Sequence, residues 1–183
     1  GHTLSESTLG VIGVGNCGKA VLRRARAFGM KLLGCDIVPI APDFLLENGV
    51  EMVALEELLA RADFVSINCD LNPTSRHLIN ERTLRMMKPT AVLINTARGP
   101  IVEQSSLEAA LAAGQIAGAG LDVFEFEPLP KDSPLLHMDQ VLLAPHNSNS
   151  SPAAWERVHW NTLRNLLDGL GMDPADLARF QNA

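Results

Sequence analysis

The sequence of 183 residues predicts an α/β domain, a doubly wound parallel sheet with helices on both faces in three layers. Short apolar runs typical of buried strands alternate with stretches of helical spacing, and short turns join them. Hydrophobic residues make up 46% of the chain and charged residues 20%, which allows a sizeable core. The length fits one domain of this class and is too short for two full ones.

Six apolar runs predict the strands, because each is short and bounded by turn residues. The predicted strands are 9–14, 31–36, 64–68, 91–95, 119–123 and 141–144. Helical spacing of apolar residues predicts the helices that lie between and after them. The predicted helices are 17–28, 55–61, 80–86, 103–113 and 152–167.

Residues at the ends of these elements support the assignment. Asn80 is a favoured N-cap for the helix that runs through 86, and Gly114 is a favoured stop for the alanine-rich helix before it. The stretch 125–138 holds three prolines and is predicted to be a loop or shallow turn. We interpret the chain as one domain over 3–169 followed by a tail over 170–183.

Charge and composition exclude several classes of protein. A net charge of −6 disfavours a nucleic-acid partner, because the chain offers no basic stripe to displace counterions from phosphates. No apolar run reaches the roughly 18 residues of a membrane span, and no charged-then-apolar leader is present. The three cysteines are odd in number and widely spaced, which disfavours a disulfide framework and a metal site. We expect a cytoplasmic protein.

A glycine-rich turn lies directly between the first strand and the first helix. Gly13, Gly15 and Gly18 form the pattern G-x-G-x-x-G. The first glycine permits a tight turn, the second lets a pyrophosphate approach the backbone, and the third lets helix and strand pack closely. The amides of Asn16 and Cys17 would then face the phosphates at the helix N-terminus. Alone, this pattern also fits an ordinary strand-to-helix turn.

An acid at the end of the second strand strengthens the cofactor interpretation. Asp36 follows Gly18 by 18 residues, where a carboxylate accepts hydrogen bonds from both ribose hydroxyls and repels a 2′-phosphate. None of the four residues after Asp36 is basic, so NAD is favoured over NADP. With strand, turn, helix and acid in register, the sequence predicts a dinucleotide-binding domain of the Rossmann type. The alternative is an incidental aspartate at a strand end.

Three polar residues of the second half each follow a predicted strand. Arg98, Glu127 and His146 lie just beyond the carboxyl ends of their strands, and ligands bind at that edge of an open α/β sheet. Taken alone, Arg98 fits a surface loop, Glu127 a solvated acid and His146 a helix cap. Their common position at one edge predicts a catalytic site instead.

At these motifs the sequence resembles the D-isomer-specific 2-hydroxyacid dehydrogenases, the family that includes phosphoglycerate, glyoxylate and hydroxypyruvate enzymes. The resemblance covers about residues 9 to 169, and the order and spacing of its motifs are far more specific than the glycine turn. The matching stretches are 10–18, 72–80, 93–102, 120–128 and 143–146.

The resemblance implies a role for each of the three residues. Arg98 would hold the substrate carboxylate with its planar guanidinium and polarise the reacting carbonyl. His146 would be the acid–base, and Glu127 would pair with its other ring nitrogen to fix the tautomer. Hydride would move between the substrate carbon and the nicotinamide of NAD. The implied partner is a small 2-hydroxy or 2-oxo acid whose identity the sequence does not select.

The resemblance also implies further contacts with NAD. Asp122 would receive the nicotinamide carboxamide, with Thr96 and Ala97 lining the same region, and Cys69 would lie on the adenosine side. Where the family has small glycine-rich residues after the histidine, this chain has the polar run 147–151. From that run we expect Asn147 and Asn149 to make polar contacts with the nicotinamide.

The sequence departs from the family pattern in two further respects. Asp70 stands where many members have proline, and an acid there alters the charge near the cofactor. Only about eight residues precede the first strand, whereas the family builds a substrate domain mainly from that region. We therefore expect an isolated cofactor domain that binds NAD without turnover. Family members are commonly dimers, and the apolar helix around 155–160 is compatible with a homodimer.

Two alternatives to a 2-hydroxyacid dehydrogenase remain open. One is a regulatory protein that uses NAD as a conformational ligand, as the corepressor relatives of the family do. The other is phosphite oxidation on the same scaffold, whereas Glu127 argues against formate oxidation. Arg76, His77 and Asn80 are interpreted as structural or surface groups, His159 as packed or interfacial, and His137 as exposed.

Overall fold

The structure is a computed structural model that describes residues 3–148 and 150–172. They form two compact units that divide after His146, and each unit is described by itself. The first unit holds the sheet and its helices. The second holds one long helix. The predicted boundary between domain and tail at 169–170 stays a prediction.

The first unit is built on a parallel sheet, which confirms the predicted fold class. Its described strands are β1 Thr8–Ile12, β2 Lys31–Cys35, β3 Val50–Met52, β4 Phe64–Ile67, β5 Val92–Asn95, β6 Gly118–Leu121 and β7 Val141–Leu143. Their order is β3-β2-β1-β4-β5-β6-β7, and every neighbouring pair is parallel. The order changes direction between β1 and β4. At such a switch point a crevice opens beyond the strand ends.

Helices connect most of these strands. They are α1 Asn16–Ala27, α2 Pro42–Asn48, α3 Leu55–Arg61, α4 Glu81–Leu84 and α5 Gln104–Ala112, with 3-10 turns at Leu4–Glu6, Gly99–Ile101 and Pro134–His137. Asn80 caps α4 as predicted, and its side chain accepts hydrogen bonds from the amides of Arg82 and Thr83. Gly114 follows α5 with a φ of 66°.

The α2 helix and the β3 strand were not among the predicted elements. Both are short: α2 begins at Pro42 and ends before Gly49, whose φ is 65°, and β3 has three residues at the edge of the sheet. A three-residue strand leaves too few residues for a period to show, and α2 begins after Ala41, which offers no side-chain cap to mark its start. Tertiary contacts therefore stabilise α2 and β3, since Phe44 and Val50 are buried in one cluster with Val11 and Leu32.

The core of the first unit consists of two apolar clusters. The smaller one includes Val11, Val14 and Leu22. The larger one includes Leu58 and Leu93. Each fully buried side chain of this size stabilises the fold by about 1.5–3 kcal/mol. The strands are thereby fixed in register, and so are the segments that leave their carboxyl ends.

The second unit contains the helix α6, Pro152–Leu170. It is capped by Ser151, whose Oγ accepts a hydrogen bond of 3.1 Å from the amide of Ala154. The rings of Trp155 and His159 meet edge to face at 5.8 Å, and both side chains are exposed, so an interfacial role for His159 stays a prediction. In the described residues no helix is both long and apolar enough to cross a membrane.

Candidate active site and cofactor cavity

The strand order places the three predicted catalytic residues on neighbouring segments. In register, Asn95 at the end of β5 pairs with Leu121 in β6, and Leu121 pairs with Leu143 in β7. The segments that follow these strands carry Arg98, Glu127 and His146 and therefore leave the sheet at the same edge. That edge is where ligands bind in open parallel sheets.

His146 and Glu127 form a hydrogen-bonded pair. Nδ1 of His146 lies 2.8 Å from Oε2 of Glu127, and Oε1 of Glu127 accepts a 3.0 Å hydrogen bond from the amide of Phe124. The bond from His146 and then the bond from this amide hold the pKa of the Glu127 carboxyl below its ordinary value. With its Nδ1 engaged, the imidazole leaves Nε2 for a substrate.

The pair borders an apolar cavity of about 380 Å³. The cavity walls come from the segments after β6 and β7, and include Phe124, Leu129 and Leu143. Both polar side chains remain in contact with solvent, since 47% of the His146 side chain and 38% of the Glu127 side chain are exposed. A ligand can therefore reach the pair without any opening of the fold.

Arg98 presents its guanidinium to solvent. Its Nη1 donates a 2.6 Å hydrogen bond to the carbonyl oxygen of Ala97, and in the described part of the chain it has no carboxylate within 4.0 Å. The positive charge is thus uncompensated by the described side chains. A planar guanidinium in this state is suited to a bidentate bond with an incoming carboxylate.

The segment that carries Arg98 is held by a residue that sequence reasoning missed. Asn95 is 1% exposed; its Nδ2 donates to the carbonyl oxygen of Arg98 at 3.0 Å, and its Oδ1 accepts from the amide of Ala97 at 3.1 Å. A buried amide needs such partners, because an unpaired polar group in the interior is costly. The polar residue at the end of an apolar strand was the available indication.

Gly99 brings the arginine segment against the glutamate segment. A Cβ atom at this position would lie 1.7 Å from the carbonyl oxygen of Phe124, so only glycine allows the two backbones to meet there. Phe124 is also the residue whose amide binds Glu127. Packing at Gly99 therefore fixes the origin of the Arg98 side chain relative to the loop that holds Glu127.

A second histidine–glutamate pair lies behind this site and was also missed. Nε2 of His77 is 2.6 Å from Oε1 of Glu125, whose Oε2 accepts a 3.0 Å bond from the amide of Gln104. The amide of His77 donates to the carbonyl oxygen of Pro100 at 2.9 Å. The pair thus joins the segments that follow β4, β5 and β6. His77 has a structural role, in agreement with its interpretation from sequence.

The glycine turn has the geometry that a pyrophosphate requires. Gly13 has a φ of 89°, and a Cβ there would lie 2.4 Å from the amide nitrogen of Cys69. A Cβ at Gly18 would lie 2.0 Å from the carbonyl oxygen of Gly13. At Gly15, by contrast, no atom lies within 4 Å of an added Cβ. The turn is therefore closed toward the protein and open at Gly15.

Asp36 lies beside this turn on a larger cavity. Its Oδ2 accepts a 2.6 Å hydrogen bond from the amide of Val14, and its Oδ1 accepts one of 3.1 Å from the amide of Val38. The cavity measures about 520 Å³ and reaches from the glycine turn to the segment after β4. Gly13, Gly15, Asp36 and Cys69 line it, so the residues fit a dinucleotide whose ribose is bound by a carboxylate.

The remaining predicted cofactor residues are distributed over both units. Asn16 and Cys17 are exposed in the first turn of α1, and Thr96 is exposed after β5. Ala97 and Asp122 follow β5 and β6, and Asp122 is buried at 4% exposure. Asn147 belongs to the second unit, and Asn149 lies outside the described residues. Their contacts with NAD stay predictions.

No group of three or more metal-ligating side chains occurs among the described residues. The cysteines are free: Cys17 is exposed, and Cys35 and Cys69 are partly buried. Burial is the main cause that raises the pKa of the Cys69 thiol, to about 11. A neutral thiol there leaves the charge of the cavity to its carboxylates.

A parallel sheet with a glycine turn at its switch point and an acid after the next strand defines a dinucleotide-binding domain of the Rossmann type. The family described as "D-isomer specific 2-hydroxyacid dehydrogenase, NAD binding domain" matches residues 1–148, and the chain belongs to it. Its cofactor is therefore NAD.

The chain is similar to known members of this family in sequence and in structure. The chain is 47% identical over 167 residues to the glyoxylate reductase of Korarchaeum cryptofilum, covering 91% of this chain and 50% of that protein. The D-mandelate dehydrogenase of Rhodotorula graminis matches with a TM-score of 0.86 and 36% identity over 91% of this chain and 48% of that one. An NAD-complexed 2-hydroxyacid dehydrogenase of Lactobacillus delbrueckii ssp. bulgaricus matches with a TM-score of 0.83 and 30% identity, covering 94% and 56%. The chain spans about half the length of these relatives.

Proposed function

We propose that this chain is the cofactor half of an oxidoreductase that transfers a hydride between NAD and a D-2-hydroxy acid or its 2-oxo acid. The observation that carries the proposal is the His146–Glu127 pair, with a 2.8 Å contact at the sheet edge to which Arg98 also leads. An acid–base pair and a guanidinium with no carboxylate partner among the described residues are the groups needed to handle a hydroxyl proton and a carboxylate.

Three residues of this chain would have separate roles in the proposed reaction. Arg98 binds the substrate carboxylate and orients C2, drawing electron density from the adjacent carbonyl oxygen. During reduction His146 delivers its proton from Nε2 to that oxygen, and during oxidation it accepts the proton back. Glu127 holds Nδ1 and balances the positive charge of the protonated ring. When bound, NAD supplies the hydride acceptor or, as NADH, the donor.

The cofactor contacts are part of the same proposal. We assign the pyrophosphate to Gly15 and to the amides of Asn16 and Cys17 at the start of α1, because an added Cβ at Gly15 would meet no atom within 4 Å. Asp36 would accept the ribose hydroxyls. The nicotinamide side would contact Thr96, Ala97, Asp122, Asn147 and Asn149.

We further propose that the protein is a cytoplasmic homodimer. Support for the second copy comes from α6, where Trp155, Val158 and Leu166 are each more than half exposed. Such an apolar surface on one helix is typical of association sites. Support for the location comes from the three free cysteines, which suit a reducing compartment. Light scattering of the purified chain tests the dimer; a monomer at high concentration contradicts it.

Calorimetric titration with NADH tests cofactor binding by the 183-residue chain. Loss of NADH absorbance tests the reaction with glyoxylate, hydroxypyruvate, pyruvate and phosphohydroxypyruvate, using the full reading frame that contains this sequence. His146→Asn is compared with the matched control His137→Asn on an exposed turn. We expect NADH to bind both variants and only His146→Asn to lose turnover. NADH binding without reduction of any 2-oxo acid would contradict the proposed reaction and favour the NAD-sensing alternative.

A further inference from the structure

Two carboxylates line the cofactor cavity, and they lie on opposite sides of the glycine turn. Asp36 follows β2 and Asp70 follows β4, the two strands that flank β1. No lysine or arginine is among the described residues that line this cavity. Among the described residues, the cavity wall therefore carries two negative charges and no side-chain cation.

The segment that holds Asp70 is braced by its own hydrogen bonds. Nδ2 of Asn72 donates to Oδ2 of Asp70 at 3.2 Å, and Oγ of Ser75 donates to the backbone carbonyl oxygen of Asp70 at 2.6 Å. Oδ1 of Asn72 in turn accepts a 2.8 Å bond from the amide of Thr74. Asp70 is exposed at the cavity wall, and its side chain and its backbone are both hydrogen-bonded to the following turn.

The two carboxylates differ in how far hydrogen bonds offset their charges. Asp36 accepts bonds from two backbone amides, those of Val14 and Val38. Asp70 accepts one bond of 3.2 Å from the neutral amide of Asn72. Both charges act on the Cys69 thiol: burial raises its pKa most, and Asp70 and then Asp36 raise it further. Asp70 therefore adds a negative charge to the cavity that Asp36 alone does not supply.

We infer that Asp70 is a second cofactor-specificity residue, whose carboxylate opposes the 2′-phosphate of NADP from the cavity wall that follows β4. The inference rests on the proposed use of this cavity for the adenosine half of NAD. A 2′-phosphate brings about −1.5 to −2 charges into a site that already holds two carboxylates. NAD carries only a hydroxyl at that position. The pyrophosphate is common to both cofactors, so the charge of Asp70 discriminates between them only through the 2′-phosphate.

The test is a comparison of NADH and NADPH binding to the full chain and to Asp70→Asn by calorimetric titration. At low salt we expect Asp70→Asn to tighten NADPH binding by about three- to tenfold and to change NADH binding by less than about twofold. Asp132→Asn is the matched control, since Asp132 is exposed and does not line the cavity. Asp36→Asn serves as the reference for a residue that also binds the ribose.

Salt provides a second measurement. If Asp70 repels the phosphate electrostatically, the preference for NADH over NADPH narrows more in the unaltered chain than in Asp70→Asn as ionic strength rises. The inference is overturned if Asp70→Asn has the same preference for NADH over NADPH as the unaltered chain. It is also overturned if the substitution weakens the binding of both cofactors equally. Failure of the unaltered chain to bind NADH is a separate outcome, which removes the proposed cofactor site itself.

Discussion

Nδ1 of His146 lies 2.8 Å from Oε2 of Glu127, although the two residues are 19 positions apart and follow different strands of the sheet. The contact depends on β6 and β7 being parallel neighbours and on the amide of Phe124, which binds the other carboxylate oxygen. The imidazole is therefore oriented by a carboxylate that is itself held by the backbone. Such an arrangement sets which ring nitrogen is free to exchange a proton.

The first prediction concerns this carboxylate. Glu127→Gln keeps the shape of the side chain and removes its charge, so the protonated imidazole loses its counter-ion. We expect turnover of the 2-oxo acid to fall by about 10²- to 10⁴-fold while NADH affinity changes by less than about twofold. Steady-state rates with the full reading frame and titration with NADH measure the two quantities.

Glu47→Gln is the control for this change, because Glu47 is an exposed acid on α2. It should leave both the rate and the affinity unchanged. Turnover by Glu127→Gln at the unaltered rate would show that the His146 imidazole needs no carboxylate partner in the reaction.

The second prediction concerns pH and the pair behind the site. Burial raises the pKa of Glu125, but bonds from the Gln104 amide and from His77 outweigh it, and the net pKa lies below 4.5. A carboxyl whose folded pKa is lowered stabilises the fold above its unfolded pKa, and this contribution is lost as pH falls through the folded value. His77→Gln removes one of the bonds that lower the pKa of Glu125. We therefore expect this variant to have a smaller free energy of unfolding than the unaltered chain well above pH 4.5. The difference in the free energy of unfolding between the variant and the unaltered chain should shrink below pH 4.5. Urea titrations at several pH values measure it.

His137→Gln is the matched control, since His137 is exposed on the 3-10 turn. Its unfolding should follow that of the unaltered chain at every pH. A deficit for His77→Gln that is the same in acid and near neutral pH would mean that the charge of Glu125 contributes nothing, and that only packing was lost.

Patterns along the chain were sufficient to predict most strands of the sheet and the glycine turn. The strands and the turn at Gly13 to Gly18 are local features, since their apolar runs and glycines are adjacent in sequence. Asp36 could be predicted for the same reason, because its place depends on one strand after one helix. The predicted helix at 55–61 has the bounds of α3.

What could not be predicted depends on contacts between distant segments. The support of Arg98 by Asn95 requires a buried amide to find two backbone partners, and the pair of His77 with Glu125 joins residues 48 positions apart. The edge strand β3 has no period of its own. In each case tertiary packing determines the contact or the strand, and the spacing of residues in a single sequence does not predict it.

The third prediction uses two glycines of the same turn as a matched pair. Gly15→Ala adds a Cβ into open space at a φ of −74°, so we expect the thermal midpoint to stay within about a degree or two. The new methyl group would nevertheless lie where the pyrophosphate approaches, and NADH affinity should fall at least about tenfold. Gly18→Ala places its Cβ 2.0 Å from the carbonyl oxygen of Gly13 and should lower the thermal midpoint itself. Equal loss of stability in the two variants would contradict the geometry.

The last prediction concerns Asn95, whose side chain would act on the proposed substrate only through Arg98. Asn95→Ala leaves the amide of Ala97 and the carbonyl oxygen of Arg98 without these partners, at a cost of about 1–3 kcal/mol in the free energy of unfolding. A purely structural residue would lower stability alone, whereas a positioning residue also raises KM for the 2-oxo acid, because the guanidinium that binds the carboxylate is no longer held in place. NADH affinity should fall less than substrate affinity, since Asn95 holds only the proposed nicotinamide contact at Ala97 and the glycine turn follows another strand. Urea unfolding and steady-state kinetics test this, with Asn161→Ala on the exposed surface of α6 as the control. A stability loss with KM unchanged would assign Asn95 to the fold only.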